Sequence, residues 1–141
     1  MILMIRIVGL TGINEEIENT LYRLRLRRKY ACVLLPETAE ILGMVKKLEN
    51  FSAYGKADKE MLKELIIKRG RSPGDKAIKV DAGKIVDELM SGKKKLEDFG
   101  IKPFFRLSPP KGGLKSSKKH YPKGVLGNHN DKINDLLRRM L

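Results

Sequence analysis

Alternating apolar patterns in the first sixty residues constrain this chain more than any other feature. Residues 2–8 are a run of Ile, Leu, Met and Val, broken once by Arg6 and ending in Gly9-Leu10-Thr11-Gly12. That is the pattern of a buried strand entering a loop, and it is too short for a membrane anchor. The apolar period then becomes helical in Ile13, Ile17, Leu21 and Leu24. Asn14 stands as N-cap, with Glu15 and Glu16 against the positive end of the helix dipole. Ala31–Leu35 is a second short apolar strand, stopped by Pro36. Thr38 caps a second helix with the stripe Ile41, Leu42, Val45 and Leu48, and Ser52–Lys56, beside Phe51 and Tyr54, gives a weaker third strand. Strand–helix–strand–helix–strand in so short a span predicts a compact two-layer unit over residues 1–57.

Helical spacing continues beyond it. Asp58 opens a third helix carrying Met61, Leu62, Leu65 and Ile66, which ends before Gly70. A turn-rich loop at 71–75 follows, then a helix with Ile85, Val86, Leu89 and Met90 that stops at Gly92. Leu96 and Phe99 fit one further turn, and residues 103–107 read as an edge strand because Pro103 cannot donate to a ladder. From 108 to 130 the pattern changes: Pro109, Pro110, Gly112, Gly113, Pro122, Gly124 and Gly127 interleave with lysines, and no acidic residue occurs. A final helix starts at Asn130 or Asp131, with Ile133, Leu136, Leu137 and Met140 on one side and Arg138 and Arg139 on the other. The expected organisation is a core at 1–57, a helical insertion at 58–101 and a basic extension with a terminal helix at 102–141.

Charge then narrows the function. The net charge is +13, and residues 101–141 carry ten basic side chains against two acidic ones, whereas 31–100 are nearly balanced. A near-neutral centre joined to a basic segment predicts a polyanionic partner. An anionic membrane surface fits less well, because few aromatics lie beside the basic clusters. One cysteine, Cys32, allows no internal disulfide and fits a reducing, cytoplasmic setting.

Three groups of residues are the RNA-binding candidates. Arg23, Arg25, Arg27, Arg28 and Lys29 are five cations in seven positions, and arginine's planar fork donates two parallel hydrogen bonds to phosphate. Lys111, Lys115, Lys118, Lys119 and Lys123 can neutralise phosphates along the acid-free segment, while His120 and Tyr121 can stack on unpaired bases and His129 can donate. Arg71 and Arg106 complete the set. The first two groups also have an ordinary structural reading: a helix end favoured by the dipole for the first, a solvated loop for the second. Enzymatic chemistry finds little footing. Cys32 reads as a buried core thiol, the two histidines are too far apart for a metal pair, and no phosphate-binding glycine motif occurs. The acidic first turn at Glu15, Glu16 and Glu18 is better explained by the dipole than by a metal. No catalytic residue, metal, cofactor or small-molecule substrate is expected. A DNA-binding protein or an RNA-processing enzyme, or more broadly a non-ribosomal nucleic-acid-binding protein, is the alternative that charge alone permits.

Four stretches carry a resemblance. They are Leu24-Arg25-Leu26-Arg27-Arg28 leading to Cys32-Val33-Leu34; Gly43-Met44-Val45; Phe105-Arg106-Leu107-Ser108-Pro109-Pro110-Lys111-Gly112-Gly113; and Lys119-His120-Tyr121-Pro122 with Leu126-Gly127-Asn128-His129. In order and spacing along nearly the whole chain they resemble the L-thirty family of large-subunit ribosomal proteins, in its archaeal/eukaryotic branch. The third block is the specific one. Ser108 stands where histidine is expected and Ala39 where proline is common; the missing basic N-terminal arm of eukaryotic members points to the archaeal form. The resemblance implies an α+β fold, a three-stranded antiparallel sheet with two helices on one face, loosely ferredoxin-like. It also implies a non-enzymatic protein that binds large-subunit rRNA, with neighbouring ribosomal proteins and the smallest (five-S) rRNA nearby.

Overall fold

The computed structural model describes residues 2–9, 14–71, 82–92, 96–113, 119–121 and 123–141. Its first half follows the expected alternation: β1 (Ile2–Arg6), α1 (Glu15–Arg23), β2 (Ala31–Leu35), α2 (Ala39–Lys47) and β3 (Ser52–Lys56). Both anticipated caps form, the Asn14 side chain accepting from the Ile17 amide at 2.9 Å and Thr38 from Ile41 at 3.3 Å. Then come α3 (Lys59–Arg69), α4 (Ala82–Met90), a 3-10 turn at Leu96–Phe99, β4 (Phe105–Arg106), β5 (Gly127–Asn128), a 3-10 turn at Asn130–Lys132 and α5 (Ile133–Met140). Asp58 occupies the N-cap position of α3, but its side chain makes no capping bond.

The fold is α+β, and the sheet order is β4-β2-β1-β3-β5. The three central strands are antiparallel, with Ile5 opposite both Cys32 and Ala53. To the three central strands the C-terminal part adds two short edges: β4, within the edge strand expected at 103–107, antiparallel to β2, and β5, which was not expected, parallel to β3. Alternation along β1 sends Ile2 and Met4 toward α1 and α2, where they meet Ile17, Leu21, Leu24, Val45 and Leu48. Leu3, Ile5 and Ile7 point the other way, into a second cluster with Met61, Leu65 and Ile66 of α3, Val86 of α4, Phe105, and Ile133 and Leu137 of α5. A strand covered on both faces has no polar side to show, which is why β1 is apolar without alternation.

Several sequence readings change. Leu42 lies 48% exposed instead of in the α2 stripe, because at 100° per residue it turns away from Val45 and Leu48; Met90, at the end of α4, is equally exposed. Arg6, which reads as an interruption of the first strand, is 1% exposed. Its guanidinium donates to the carbonyls of Val8, Leu26 and Gly9 at 2.9, 2.8 and 3.0 Å. Residues 119–121 and 123–129, expected as part of a long loop, pack against the sheet. Val125 and Leu126 are buried, the Tyr121 amide donates to Leu126 O at 2.9 Å, and Leu126 returns a bond to Lys119 O at 3.1 Å. The turn closes because a Cβ at Gly124 would lie 2.1 Å from Lys119 O, a position only glycine can hold.

Candidate nucleic-acid interface

Two adjoining clefts gather cations from distant parts of the chain. One, of about 280 Å³, is lined by Arg69, Arg71, Lys102, Phe104 and Arg106. The other, of about 200 Å³, is lined by Arg25, Arg27, Arg28, Ala31, Phe104 and Arg106. Phe104 and Arg106 belong to both, and among the described residues every charged side chain in either lining is a cation.

Local structure explains how the first arginines arrive there. α1 ends in a Schellman motif: the Leu26 amide donates to Leu21 O at 2.9 Å and the Arg25 amide to Tyr22 O at 3.0 Å. Leu24 and Leu26 are buried while Arg23, Arg25, Arg27, Arg28 and Lys29 are exposed, so two leucine anchors turn the cations outward. Arg25 holds φ +64, a left-handed conformation where glycine is usual. Arg27 lies 4.1 Å from the centre of the Tyr22 ring and Lys29 5.1 Å from that of Tyr30.

The second set comes from β4 and the end of α3. Phe105 and Leu107 are buried, and Arg106 between them is exposed, the alternation of an edge strand. Pairing of Ala31 with Arg106 brings this strand beside the arginine loop. Arg69 donates to Ser108 Oγ at 2.7 Å, and Arg71 to Gly70 O at 2.8 Å, so both guanidinium groups are held in place. Ser108, where the resemblance leads one to expect histidine, here anchors an arginine.

A third region lies around residues 119–139, where Tyr121, Gly124, Val125, His129, Lys132, Asp135, Leu136 and Arg139 line a cavity of about 210 Å³. Lys111, Lys119 and Lys123 are exposed, and Arg139 fastens the preceding loop by donating to Gly113 O at 3.0 Å. His120 donates from Nε2 to Asn50 Oδ1 at 2.6 Å, and Tyr121 covers the His129 ring at 4.5 Å between centroids. His129 itself is a correction to the expected surface donor. Only 5% exposed, it donates from Nε2 to Val125 O at 2.5 Å, and burial pushes its pKa down against a smaller upward pull from that carbonyl. Lys115 and Lys118 lie outside the described residues.

Of the sequence candidates, then, Arg25, Arg27, Arg28, Arg71 and Arg106 converge on the paired clefts. Arg23, Lys29, Lys111, Lys119, His120, Tyr121, Lys123 and His129 do not line them. Sequence reasoning missed Arg69, Lys102 and Phe104. The alternation Lys102-x-Phe104-x-Arg106 was the available signal, but nothing local ties it to Arg25 or Arg69. Cys32 is fully buried, burial pushing its thiol far up, as its apolar strand implied. Among the described residues, no group of three or more His, Cys, Asp or Glu side chains could hold a metal ion, and no helix is long and apolar enough to cross a membrane.

Comparison with known proteins bears on the whole arrangement. The family model described as ribosomal protein L30p/L7e matches residues 2–51. The large ribosomal subunit protein uL30 of Methanococcus maripaludis is 39% identical over 149 residues, 97% of each chain. Its namesake from Archaeoglobus fulgidus is 37% identical over 151 residues, 99% of each, and that from Nanoarchaeum equitans 38% over 148, 96% of each. The family model thus spans the strands and helices that supply Arg25, Arg27 and Arg28, while the similarity to full-length relatives extends over Arg69, Arg71 and residues 102–106.

Proposed function

The chain belongs to the ribosomal protein L30p/L7e family, and we propose that it is a structural constituent of the large ribosomal subunit that binds and stabilises folded large-subunit rRNA by neutralising phosphates. The observation that carries the reading is the pair of clefts around Phe104, where cations from the end of α3, the loop after α1 and the 102–106 segment meet with no carboxylate among the described lining residues. Such a surface reads backbone geometry and shape more than base edges. Residues 1–57 act as the ribosomal core, 58–101 as the insertion that brings Arg69 and Arg71, and 102–141 as the rRNA-binding extension. Neighbouring large-subunit proteins are partners, and the smallest (five-S) rRNA is a candidate one. No catalysis, cofactor or metal is required, and the place of action is the cytoplasmic ribosome.

Sedimentation tests this. The full chain, added to large subunits stripped of its counterpart, is expected to co-migrate with them through a gradient and to stay bound at moderate salt. A protein that remains at the top of the gradient, or leaves at salt that spares other subunit proteins, would sink the proposal.

A further inference from the structure

Phosphate neutralisation accounts for the cations of the paired clefts but not for the aromatic at their junction. Phe104 is half-buried and packs against the apolar cluster under α1, so its ring is supported from behind while it lines both cavities. The Lys102 ammonium lies 5.8 Å and the Arg106 guanidinium 5.7 Å from the ring centroid. In the larger cleft, Arg69 donates to Ser108 and Arg71 to the Gly70 carbonyl. An aromatic ring lining the same cleft as hydrogen-bonded guanidinium groups gives a site with a π surface and cationic walls. At about 280 Å³ it falls just under the range of about 300–1,000 Å³ typical of whole-ligand pockets, a size suited to one planar group.

Resting on the reading of this face as an rRNA interface, we propose that Phe104 is the stacking platform for one unpaired rRNA nucleotide. Its base enters the cleft bounded by Phe104, Arg69 and Arg71, and the phosphates on either side of it lie against Arg106 and the Arg25–Arg28 loop. Unpaired bases splayed from a helix are the groups that proteins take up on aromatic side chains and arginine planes. Every base has a π face, so the slot is tolerant of base identity. Phe104 therefore adds selection for RNA that offers a bulged or looped-out nucleotide, over and above the affinity that the cations give to any folded RNA.

The test uses the full chain and three RNA hairpins with a common stem. One carries a single bulged 2-aminopurine, an adenine analogue whose fluorescence falls on stacking; one holds the same analogue paired in the stem; one has an abasic bulge. The wild-type chain is expected to quench the bulged analogue and to bind that hairpin about tenfold more tightly than the other two. Phe104→Leu, which keeps the apolar support but removes the ring, should lose both the quenching and the preference. Phe104→Trp should restore them, and thermal unfolding of each variant checks that the fold persists. Wild-type quenching and preference retained in Phe104→Leu, or no preference in the wild type, would overturn the stacking role alone. Failure of the wild type to bind any of the hairpins would overturn the rRNA reading with it.

Discussion

Arg6 and Leu26 are joined by a 2.8 Å hydrogen bond from the guanidinium Nη1 to the backbone carbonyl. It ties the end of β1 to the loop that presents Arg25, Arg27 and Arg28. Two more bonds, to Val8 and Gly9, occupy the remaining face of the fork, and the Arg6 carbonyl accepts from the Tyr30 amide at 2.7 Å. Burial lowers the Arg6 pKa, partly offset by the charge of Glu18, yet a guanidinium keeps its proton in proteins. Replacing Arg6 by Met fills similar space and leaves the three carbonyls without their charged donor. We expect a loss of about 3 kcal/mol, since hydrogen bonds to charged groups contribute about 1.5–3 kcal/mol each and solvent recovers part of that. Urea unfolding measures it; a variant within about 0.5 kcal/mol of wild type, the scatter of ordinary surface substitutions, would remove Arg6 from this role.

The seam between β3 and α5 is the next sensitive point. A Cβ at Gly55 would lie 2.3 Å from Asn130 O and 2.8 Å from Ile133 Cβ, so Gly55→Ala pushes α5 off the sheet. Overpacking of this kind costs about 1–3 kcal/mol. Close by, the buried Asn134 side chain donates to Lys56 O at 3.1 Å and Asp131 O at 2.8 Å, and accepts from the Asp58 amide at 2.9 Å. Asn134→Leu strands those backbone groups, at about 1–3 kcal/mol for each left unsatisfied. Because both changes loosen one seam, the double variant should fall short of the sum of the singles. Additive losses in denaturant unfolding would show two independent sites instead.

Legibility in the sequence followed the distance over which each cause acts. β1, α1, β2 and α2 were readable because their periods and caps at Asn14 and Thr38 are local, and Cys32 was readable as core because its strand neighbours are apolar. Arg6 was not: its three acceptors belong to backbone, which leaves no pattern in residue types, and Leu26 is twenty positions away. β5 was obscured by the glycines and lysines around it, although Val125 and Leu126 were the apolar pair that gave it somewhere to pack. In the candidate interface, the arginines of 25–28 were visible as a cluster. Their meeting with Arg69 and Phe104 depends on β4 pairing with β2, a contact between residues more than seventy positions apart.

His129 gives the fold a dependence on pH. In the unfolded chain the imidazole titrates near about 6.5; in the folded protein burial lowers that value, with the Val125 carbonyl pulling more weakly upward. The unfolded state therefore binds the proton more readily. The stabilisation from a neutral, buried ring is fully present above about pH 6.5 and is lost as pH falls from there through the lower, folded pKa. Glu16 and Asp87 have carboxyls drawn below their ordinary range by hydrogen bonds from Lys47 and Lys59, so their contributions disappear only in more acid solution. His129→Gln keeps an N–H for Val125 and should flatten the stability profile between pH 7 and 5. Chemical unfolding at closely spaced pH values checks this, and an unchanged slope in the variant would assign the dependence elsewhere.

On the proposed reading of the interface, Arg25 sets stability against binding. Its φ of +64 places a side chain where the Schellman turn favours glycine, and the left-handed conformation costs a non-glycine residue about 1–2 kcal/mol. Glycine gives back part of that relief through its greater freedom in the unfolded chain. Arg25→Gly is thus expected to raise stability by up to about 1 kcal/mol. The same change removes one cation from the smaller cleft. If Arg25 holds a phosphate, the slope of log affinity for folded rRNA against log salt should become shallower by about 0.7–0.9. Unfolding and salt titration of a single variant therefore report on opposite terms. A more stable protein with a shallower salt slope means that this turn retains arginine for RNA at the expense of its own geometry. A less stable protein with an unaltered slope means that the side chain serves the fold, and the reading of the loop as a phosphate contact would have to be given up.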